Sequence, residues 1–303
     1  MKTLVIVTGP TASGKTGLAI DIAESLDTEI VSADSRQIYR GIPIGTAVPS
    51  ADELARVRHH FIETLPLDSY YSAARYEEEA LTVLGEIWRK RDIAVMCGGS
   101  MMYIDAVTRG IDQLPTISDE VRERVRMLYE QSGIEGLRDT LAGIDPVMME
   151  RIDPSNHRRL MHAIEITLEA GIPCSRLLTG QAKERPFRIV KLAIGHTREA
   201  LFDRINRRVD AMIEAGLEAE AARVYPQRHL NALNTVGYKE LFAVMDGVMT
   251  RDIAIPRIAK NTRVYAKKQL LWLSKDPTVN YIDPSMADMA GEALRIINTS
   301  LME

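Results

Sequence analysis

The sequence is poor in cysteine and contains no long apolar run. Cys97 and Cys174 are its only cysteines in 303 residues, which is too few for a disulfide framework or a zinc site. No apolar stretch approaches the roughly 20 residues that span a membrane. The first predicted strand begins at residue 3, which leaves no room for a signal or transit peptide. We therefore expect a cytoplasmic protein that does not contact a membrane.

The sequence also lacks a large excess of charge of either sign. It has 38 Lys and Arg residues against 42 Asp and Glu residues, for a net charge of −4. This balance excludes a general polyanion-binding protein, so any contact with nucleic acid must come from local basic patches. Hydrophobic residues make up 46% of the chain, which is typical of a soluble globular protein with a sizeable core.

A phosphate-binding motif stands near the start of the chain. A predicted strand leads into eight residues with P-loop spacing: Gly9, Pro10, Thr11, Ala12, Ser13, Gly14, Lys15 and Thr16. The glycines let several backbone N–H groups point at one anion, Lys15 adds positive charge, and the Thr16 hydroxyl can hold Mg²⁺. The helix that follows aims the positive end of its dipole at the same place. The motif predicts binding of a phosphorylated small molecule and leaves open whether that molecule is ATP.

Strands and helices alternate along most of the chain. Continuous apolar, β-rich segments predict strands at residues 3–8, 29–33, 93–97, 191–196 and 279–282, with helices that include residues 17–26 and 72–90. This alternation is typical of an α/β fold in which a P-loop-type parallel sheet is flanked by helices.

The middle of the chain interrupts this alternation with helical patterns and no convincing strand. Ser118 suits a helix N-terminus, and Ser155 or Asn156 would cap another helix that ends at Gly171. The predicted domains are therefore an α/β catalytic core formed by residues 1–115 and 186–303 and an all-helical insertion formed by residues 116–185.

An acidic residue follows the second predicted strand rather than the third. Proteins that hydrolyse nucleoside triphosphates usually carry an acid after a core strand to hold Mg²⁺, but residues 93–97 lead into two glycines and Ser100. Asp34 instead follows residues 29–33, and in a parallel sheet this places it at the same edge as the P-loop. Asp34 is either a turn cap with Ser35 or a group that reaches a second substrate beside the phosphates.

With these motifs the chain resembles the bacterial tRNA dimethylallyltransferases, also called tRNA isopentenyltransferases. The resemblance runs nearly end to end in the family's order, through the P-loop and then residues 32–37, 39–41, 44–47, 59–60, 71–73, 98–99, 158–164, 236–239, 262–270 and 272. Where the family usually has Thr this chain has Ser100, which retains a hydroxyl. Met101 and Met102 also depart from the family's pattern, and such a change could reshape the apolar wall of the pocket.

The resemblance implies transfer of a dimethylallyl group from dimethylallyl diphosphate to the N6 amine of an adenosine. That adenosine lies just 3′ of the anticodon in tRNAs that read codons beginning with U. Diphosphate is then the leaving group, and the P-loop with Mg²⁺ stabilises the charge that develops on it. Asp34 is the implied general base and Ser100 the implied hydroxyl at the reacting centre. The implied partners are dimethylallyl diphosphate and a tRNA anticodon stem-loop, and we expect a monomer.

The resemblance also carries the family's binding positions onto this chain. The tRNA-contacting positions correspond to Asp34, Ser35, Arg36, Gln37, Ser100, Arg122, Arg158, Arg159, Leu160, Met161, His162, Asn234, Thr235, Val236, Gly237, Tyr238 and Lys239. The diphosphate-binding arginine corresponds to Arg208. In a predicted helix over residues 198–215, the apolar stripe leaves Arg208 at its edge, where it can point inward, and leaves Arg207 in solvent.

Five basic residues near the C-terminus have no acid between them: Arg257, Lys260, Arg263, Lys267 and Lys268. A charge run is usually a solvated face, but in an otherwise acidic chain this one-sided run favours contact with phosphates. His59 and His60 are adjacent and lack a partner one helical turn away, so they do not indicate a metal site.

Three alternatives share parts of this pattern. A small-molecule kinase would hold ATP in the P-loop and use Asp34 on a hydroxyl, and it predicts ATP turnover without RNA. An adenylate isopentenyltransferase would use the same donor on a free nucleotide, which needs neither the helical insertion nor the basic run. A non-catalytic RNA-binding module would not need a complete P-loop with Lys15 and Thr16.

Overall fold

The computed structural model describes residues 1–302, and within them the sheet contains six strands. These are β1 Thr3–Thr8, β2 Ile30–Ser32, β3 His59–His60, β4 Ile93–Gly98, β5 Arg188–Ile194 and β6 Val279–Ile282. They lie in the order β3-β2-β4-β1-β5-β6, and every neighbouring pair is parallel. The predicted α/β fold with a P-loop-type parallel sheet is confirmed.

Helices connect the strands. They are α1 Lys15–Ser25, α2 Pro43–Thr46, α3 Ala51–Arg56, α4 Ala73–Trp88, α5 Met101–Arg109, α6 Asp119–Ile144, α7 Pro146–Arg151, α8 His157–Ala170, α9 Cys174–Leu177, α10 Arg198–Glu214, α11 Leu217–Val224, α12 Tyr238–Met245, α13 Arg251–Leu273 and α14 Met289–Met302. Short 3₁₀ turns at Tyr225–Gln227 and Asn231–Leu233 lie between α11 and α12. No helix within residues 1–302 combines the length and the apolar character needed to cross a membrane.

The central strand β1 is buried on both faces. Leu4 and Ile6 belong to one hydrophobic cluster, and Val5 and Val7 belong to another on the opposite face of the sheet. This explains why the strand is continuously apolar, because helices cover both sides of a parallel sheet. The last residue of β1 lies opposite Gly98 of β4, so the loops that follow both strands leave the sheet at the same edge.

One strand is not predicted by the sequence, and three others differ from their expected bounds: β2 is one residue shorter at each end, β4 ends one residue later and β5 begins and ends earlier. β3 has only two residues, which is too short to show a periodic pattern, and the sequence does not predict it. β5 begins at Arg188 and ends at Ile194 rather than spanning residues 191–196, because its pairing with β1 begins at Arg188, a charged residue that an apolar pattern does not include.

The chain forms two compact units. One comprises Met1–Arg109 and Glu184–Glu303 and contains the sheet, and the other comprises Gly110–Lys183 and contains α6 to α9. The boundaries expected from the sequence, at 115/116 and 185/186, lie slightly later in the chain. Each unit has its own hydrophobic interior.

Two helices of the helical unit, α6 and α8, begin at residues that the sequence indicates, and α8 also ends at the expected residue. The Ser118 hydroxyl caps α6 by accepting from Val121 N–H, and the Asn156 side chain caps α8. Gly171 ends α8 in the left-handed conformation, with φ +67°. The interior of this unit includes Val125, Leu137, Leu141, Leu160 and Ile164.

Candidate active site

The backbone conformation of the P-loop favours glycine at two positions. Gly9 has φ +148° and Gly14 has φ +91°, and Gly14 stands directly before α1. A Cβ atom on Gly9 would lie 3.1 Å from Ser13 Oγ. Ser13 Oγ is itself buried and has no hydrogen-bond partner among residues 1–302. A buried hydroxyl without a partner is costly, so this unpaired donor fits a ligand oxygen in the loop.

Two cationic side chains, Lys15 of the P-loop and Arg208 of α10, lie in the proposed phosphate site. Burial lowers the pKa of Lys15, and nearby Arg208 lowers it further. Burial also lowers the pKa of Arg208, while Asp34 opposes that change. Both residues are half-buried, and charged groups that are partly shielded from water stabilise an anion more strongly than fully solvated ones. The pair therefore favours a ligand with several negative charges.

Arg208 and Arg207 take the positions that the helical pattern predicts. Arg208 is half-buried on α10 and lines the cavity that Lys15, Thr16 and Asp34 also line, hereafter the main cavity, whereas Arg207 is exposed. Arg207 nevertheless lines a second opening beside the P-loop, of about 490 Å³, which Lys15 and Arg208 line as well. The inward orientation of Arg208 is therefore confirmed, and its role in binding diphosphate stays a prediction.

Three side chains that the sequence analysis missed hold the P-loop in place. Arg204 Nε donates to Ala12 O at 2.7 Å, and His196 Nε2 donates to Ser13 O at 2.8 Å. Gln269 Oε1 accepts from Thr11 N–H at 3.0 Å. Arg204 lies on α10, His196 in the loop after β5 and Gln269 on α13. All three are far from the P-loop in sequence. Their only sequence signal is the segment 262–270, which contains Gln269.

Asp34 serves as a turn cap and also faces the cavity. Its Oδ1 atom accepts from Arg36 N–H at 2.8 Å and from Gln37 N–H at 3.3 Å. The other carboxylate oxygen has no protein hydrogen bond among residues 1–302, and Asp34 lines the main cavity. The two interpretations left open by the sequence are therefore compatible, because each uses a different oxygen.

Ser100 lies beside Asp34 through its contact with Ser35. The Ser100 hydroxyl accepts from Ser35 N–H at 2.8 Å and donates to Ser35 Oγ at 3.2 Å. Two residues before Ser100, the close approach of β4 to the residues after β2 requires glycine, since a Cβ atom on Gly98 would lie 2.2 Å from Ala33 O. Ser100 is thus engaged with the neighbouring turn rather than free in the cavity.

The main cavity has a volume of about 370 Å³ and brings the two predicted halves of the site together. Lys15, Thr16, Asp34, Ser100 and Arg208 all line it. Its apolar wall consists of Val209, Met212, Leu217, Val236 and Ile258. The expectation for Met101 and Met102 was wrong: neither lines this cavity, and Met102 is 66% exposed on α5.

Most of the predicted tRNA-contacting positions of the α/β unit also line this cavity. They are Asp34, Ser35, Arg36, Gln37, Ser100, Asn234, Thr235, Val236, Gly237 and Lys239. Tyr238 is completely buried, and its hydroxyl donates to the Glu220 carboxylate at 2.5 Å. Its side chain therefore supports the site from behind rather than facing a ligand.

The turn residues Arg36 and Gln37 are already bound to the protein backbone. Arg36 Nη1 donates to Asn231 O at 2.8 Å, and Gln37 Nε2 donates to Ala47 O at 2.7 Å. Ala47 has φ +50°, so Gln37 holds a left-handed position of the neighbouring loop. Both side chains fix the shape of the cavity mouth.

The remaining predicted tRNA positions belong to the helical unit. Arg158, Arg159 and His162 are exposed on α8, and Met161 is half-buried. Arg122 lies in the first turns of α6. Leu160 is completely buried in the interior of the unit, so its side chain packs there and presents nothing to a ligand.

Tyr265 is a further cavity residue that the sequence analysis did not single out. It lines the main cavity from α13, and although the residue is 39% exposed, desolvation of its phenol and the charge of Asp34 raise the pKa of that phenol to about 12. The phenol is therefore neutral at physiological pH and can donate a hydrogen bond.

Exposed basic residues lie along the same helix, α13. Arg257, Lys260, Lys267 and Lys268 are exposed on α13, and Lys267 Nζ lies 5.6 Å from the centre of the Phe202 ring. No group of three or more His, Cys, Asp or Glu residues within residues 1–302 is arranged to hold a metal ion. His60 Nε2 instead contacts Glu29 at 2.7 Å.

The parallel sheet and the glycine-containing loop between β1 and α1 define a protein of the P-loop class. A family model described as IPP transferase matches residues 37–276. The chain is 47% identical to tRNA dimethylallyltransferase 2 of Parabacteroides distasonis, over 94% of this chain and 95% of the relative. It is 50% identical to tRNA dimethylallyltransferase 2 of Porphyromonas gingivalis, over 93% of this chain and 94% of that one.

A solved structure shows the same similarity. The full-length tRNA isopentenylpyrophosphate transferase of Bacillus halodurans superposes with a TM-score of 0.72 and 33% identity, over 99% of this chain and 96% of that one. The chain belongs to the IPP transferase family.

Proposed function

We propose that the protein transfers the dimethylallyl group of dimethylallyl diphosphate to the N6 amine of the adenosine 3′ to the anticodon. The tRNAs concerned read codons beginning with U, and diphosphate is released. The observation that carries this proposal is the composition of one cavity: a phosphate loop with two desolvated cations, an unpaired carboxylate oxygen of Asp34 and an apolar wall.

The phosphate side of the cavity lowers the energy barrier to bond cleavage. The allylic C–O bond breaks as negative charge accumulates on the departing diphosphate, and Lys15, Arg208 and the loop N–H groups stabilise that charge. The loop backbone is fixed before the reaction, since Arg204, His196 and Gln269 hold it. Its N–H groups therefore need little reorganisation when the charge develops.

Mg²⁺ fits this side of the cavity as a companion of the diphosphate. Thr16 provides a hydroxyl, and the ion's remaining ligands would be diphosphate oxygens and water, which Mg²⁺ prefers to an all-protein cage. Bound there, the ion would neutralise charge on the leaving group.

The acceptor side supplies a proton acceptor. The N6 amine is a weak nucleophile because its lone pair is delocalised into the adenine ring. The free oxygen of Asp34 takes the amine proton as the C–N bond forms, while the other oxygen keeps the turn in place. The apolar wall receives the dimethylallyl group and keeps water from the activated carbon.

The tRNA must present its adenosine unstacked to reach such a cavity. Arg158 and Arg159 on α8 and the basic residues of α13 provide exposed positive charge for its phosphates. The main cavity is lined by one chain, so a monomer suffices, and a tRNA substrate fits action in the cytoplasm.

The test is an incubation of the protein with dimethylallyl diphosphate carrying a carbon label, or with ATP carrying a γ-phosphate label, each with and without unmodified tRNA. We expect label to enter tRNA only from the allylic donor. Phosphoryl transfer from ATP to a small molecule without RNA would instead identify a kinase.

A further inference from the structure

Gln269 joins the two sides of the cavity through one buried amide. Its Oε1 atom accepts from Thr11 N–H of the P-loop at 3.0 Å, and its Nε2 atom donates to Gly99 O at 2.8 Å. The side chain is only 3% exposed. The amide therefore spans from the loop that follows β1 to the turn that follows β4.

The Gly99 turn continues this connection to the proton acceptor. The next residue, Ser100, accepts a hydrogen bond from Ser35 N–H at 2.8 Å. Asp34 precedes Ser35 and lines the same cavity. An unbroken series of contacts thus leads from the phosphate loop through Gln269 and Ser100 to the carboxylate.

The surroundings leave little freedom for this amide. A Cβ atom on Gly99 would lie 2.3 Å from Gln269 Nε2 and 3.1 Å from Gly9 O, so all three groups are packed tightly. On the same helix, Ala266 packs with Ala12 and Leu201, and Leu273 packs with Ala193. The backbone of α13 is therefore fixed on both sides of Gln269.

We propose that Gln269 is a positioning residue that sets the distance and orientation between the diphosphate loop and the Asp34 turn. This inference rests on the proposed function. Because Gln269 accepts from Thr11 N–H, it holds the start of the phosphate loop in a fixed conformation. Because it also holds Gly99, the same side chain fixes the acceptor side, and its loss disturbs both sides at once.

The first experiment compares Gln269→Leu, Ser100→Ala and the control Gln227→Leu, which changes an exposed glutamine. We measure affinity for inorganic pyrophosphate with Mg²⁺ and the single-turnover transfer rate at saturating donor and tRNA. Gln269→Leu should weaken pyrophosphate binding and slow transfer, each by about tenfold, since it leaves two buried groups unpaired. Ser100→Ala should slow transfer alone, and Gln227→Leu should change neither.

Gln269→Glu tests the same role without changing the shape of the side chain. The carboxylate can accept from Thr11 N–H but repels Gly99 O, whereas the protonated acid restores a donor, and burial favours the protonated form. The transfer rate of this variant relative to the unmutated protein should rise severalfold as the pH is lowered from mildly alkaline to mildly acidic. This test stands if Gln269→Leu does not fold.

The outcomes separate this inference from the proposed function. A folded Gln269→Leu protein with unchanged pyrophosphate affinity, or with an unchanged transfer rate, would overturn the positioning role, as would a pH-independent ratio for Gln269→Glu. If the unmutated protein transfers no dimethylallyl group, the proposed function fails, while a loss of pyrophosphate binding in Gln269→Leu but not in Ser100→Ala still supports the role of the amide.

Discussion

The phosphate side and the acceptor side of the cavity are built in different ways. On the phosphate side, the proposed anion site is a backbone loop, and distant side chains such as His196 and Arg204 hold that loop through its carbonyl oxygens. On the acceptor side, the carboxylate of Asp34 faces the cavity and caps its own turn. The first side depends on a backbone shape and the second on a single side chain.

This difference predicts how substitutions on each side should affect ligand affinity and the transfer rate. A backbone-built anion site loses affinity gradually, because several N–H groups and two cations share the charge. A site built on one carboxylate loses its chemistry at once when that group changes, while binding persists.

The largest effect is expected from Asp34→Asn. Asparagine can still accept from Arg36 N–H and keep the turn, but it cannot take a proton from the amine. Transfer should therefore fall by about 10² to 10⁴-fold with tRNA affinity retained, as measured by single-turnover kinetics and filter binding. Asp52→Asn, at an exposed position of α3, is the control, and a transfer rate near normal in Asp34→Asn would remove Asp34 as the base.

Arg208→Gln should produce the next largest effect, on the phosphate side. Loss of a desolvated cation next to Lys15 should weaken pyrophosphate binding by about 10²-fold, measured by calorimetry with Mg²⁺. Arg198→Gln is the matched control, because Arg198 is exposed on the same helix and lines neither of the two openings beside the P-loop. Equal losses in both variants would show that the site responds only to overall charge.

The same variant should also shift a pH dependence. Arg208 contributes to lowering the pKa of Lys15, so Lys15 loses its proton, and the site loses affinity, at a lower pH than for a free lysine. Arg208→Gln should raise the pKa of Lys15 and move this alkaline loss of pyrophosphate binding to higher pH. An alkaline limb that does not move would contradict the coupling of the two cations.

Ser100→Ala should have a smaller effect, on the acceptor side alone. It removes the hydrogen bond to Ser35 N–H beside Asp34, so transfer should slow by about tenfold. Ser100→Thr, which restores a hydroxyl, should recover most of the rate. A loss of pyrophosphate affinity in Ser100→Ala would mean that the two sides are not separable.

The smallest effect is expected from neutralising Lys267 and Lys268 to glutamine. If these exposed residues of α13 contact tRNA phosphates, each change should lower the salt dependence of tRNA binding by roughly one unit of slope. Lys90→Gln, at an exposed position after α4, is the control. A salt slope identical to that of the unmutated protein would assign this run to the solvated surface.

Sequence reasoning was strongest where local residues decide the structure. The strand β1, the P-loop, the cap at Ser118 and the end of α8 at Gly171 all depend on neighbouring residues, and each is found where the sequence indicates. The inward position of Arg208 followed from helical periodicity on α10. The two-residue strand β3 was missed because it has no pattern of its own.

Sequence reasoning was weakest where distant segments meet. Gln269 and His196 contact the P-loop across more than half of the chain, and periodicity describes one element at a time. The departures at Met101 and Met102 were expected to reshape the apolar wall, but residues of α10, α11 and α13 and of the loop before α12 supply that wall instead. Which helix closes a cavity is decided by packing that no local pattern records.

The central claim is that the P-loop holds a leaving group rather than a phosphoryl donor. The most direct measurement uses dimethylallyl diphosphate that carries a carbon label in the allyl group and a phosphorus label in the diphosphate, incubated with unmodified tRNA. We expect one carbon label in tRNA for each labelled diphosphate released, with no phosphorus label in the RNA. Phosphorus label transferred to any acceptor, or carbon label that fails to enter tRNA, would contradict the account.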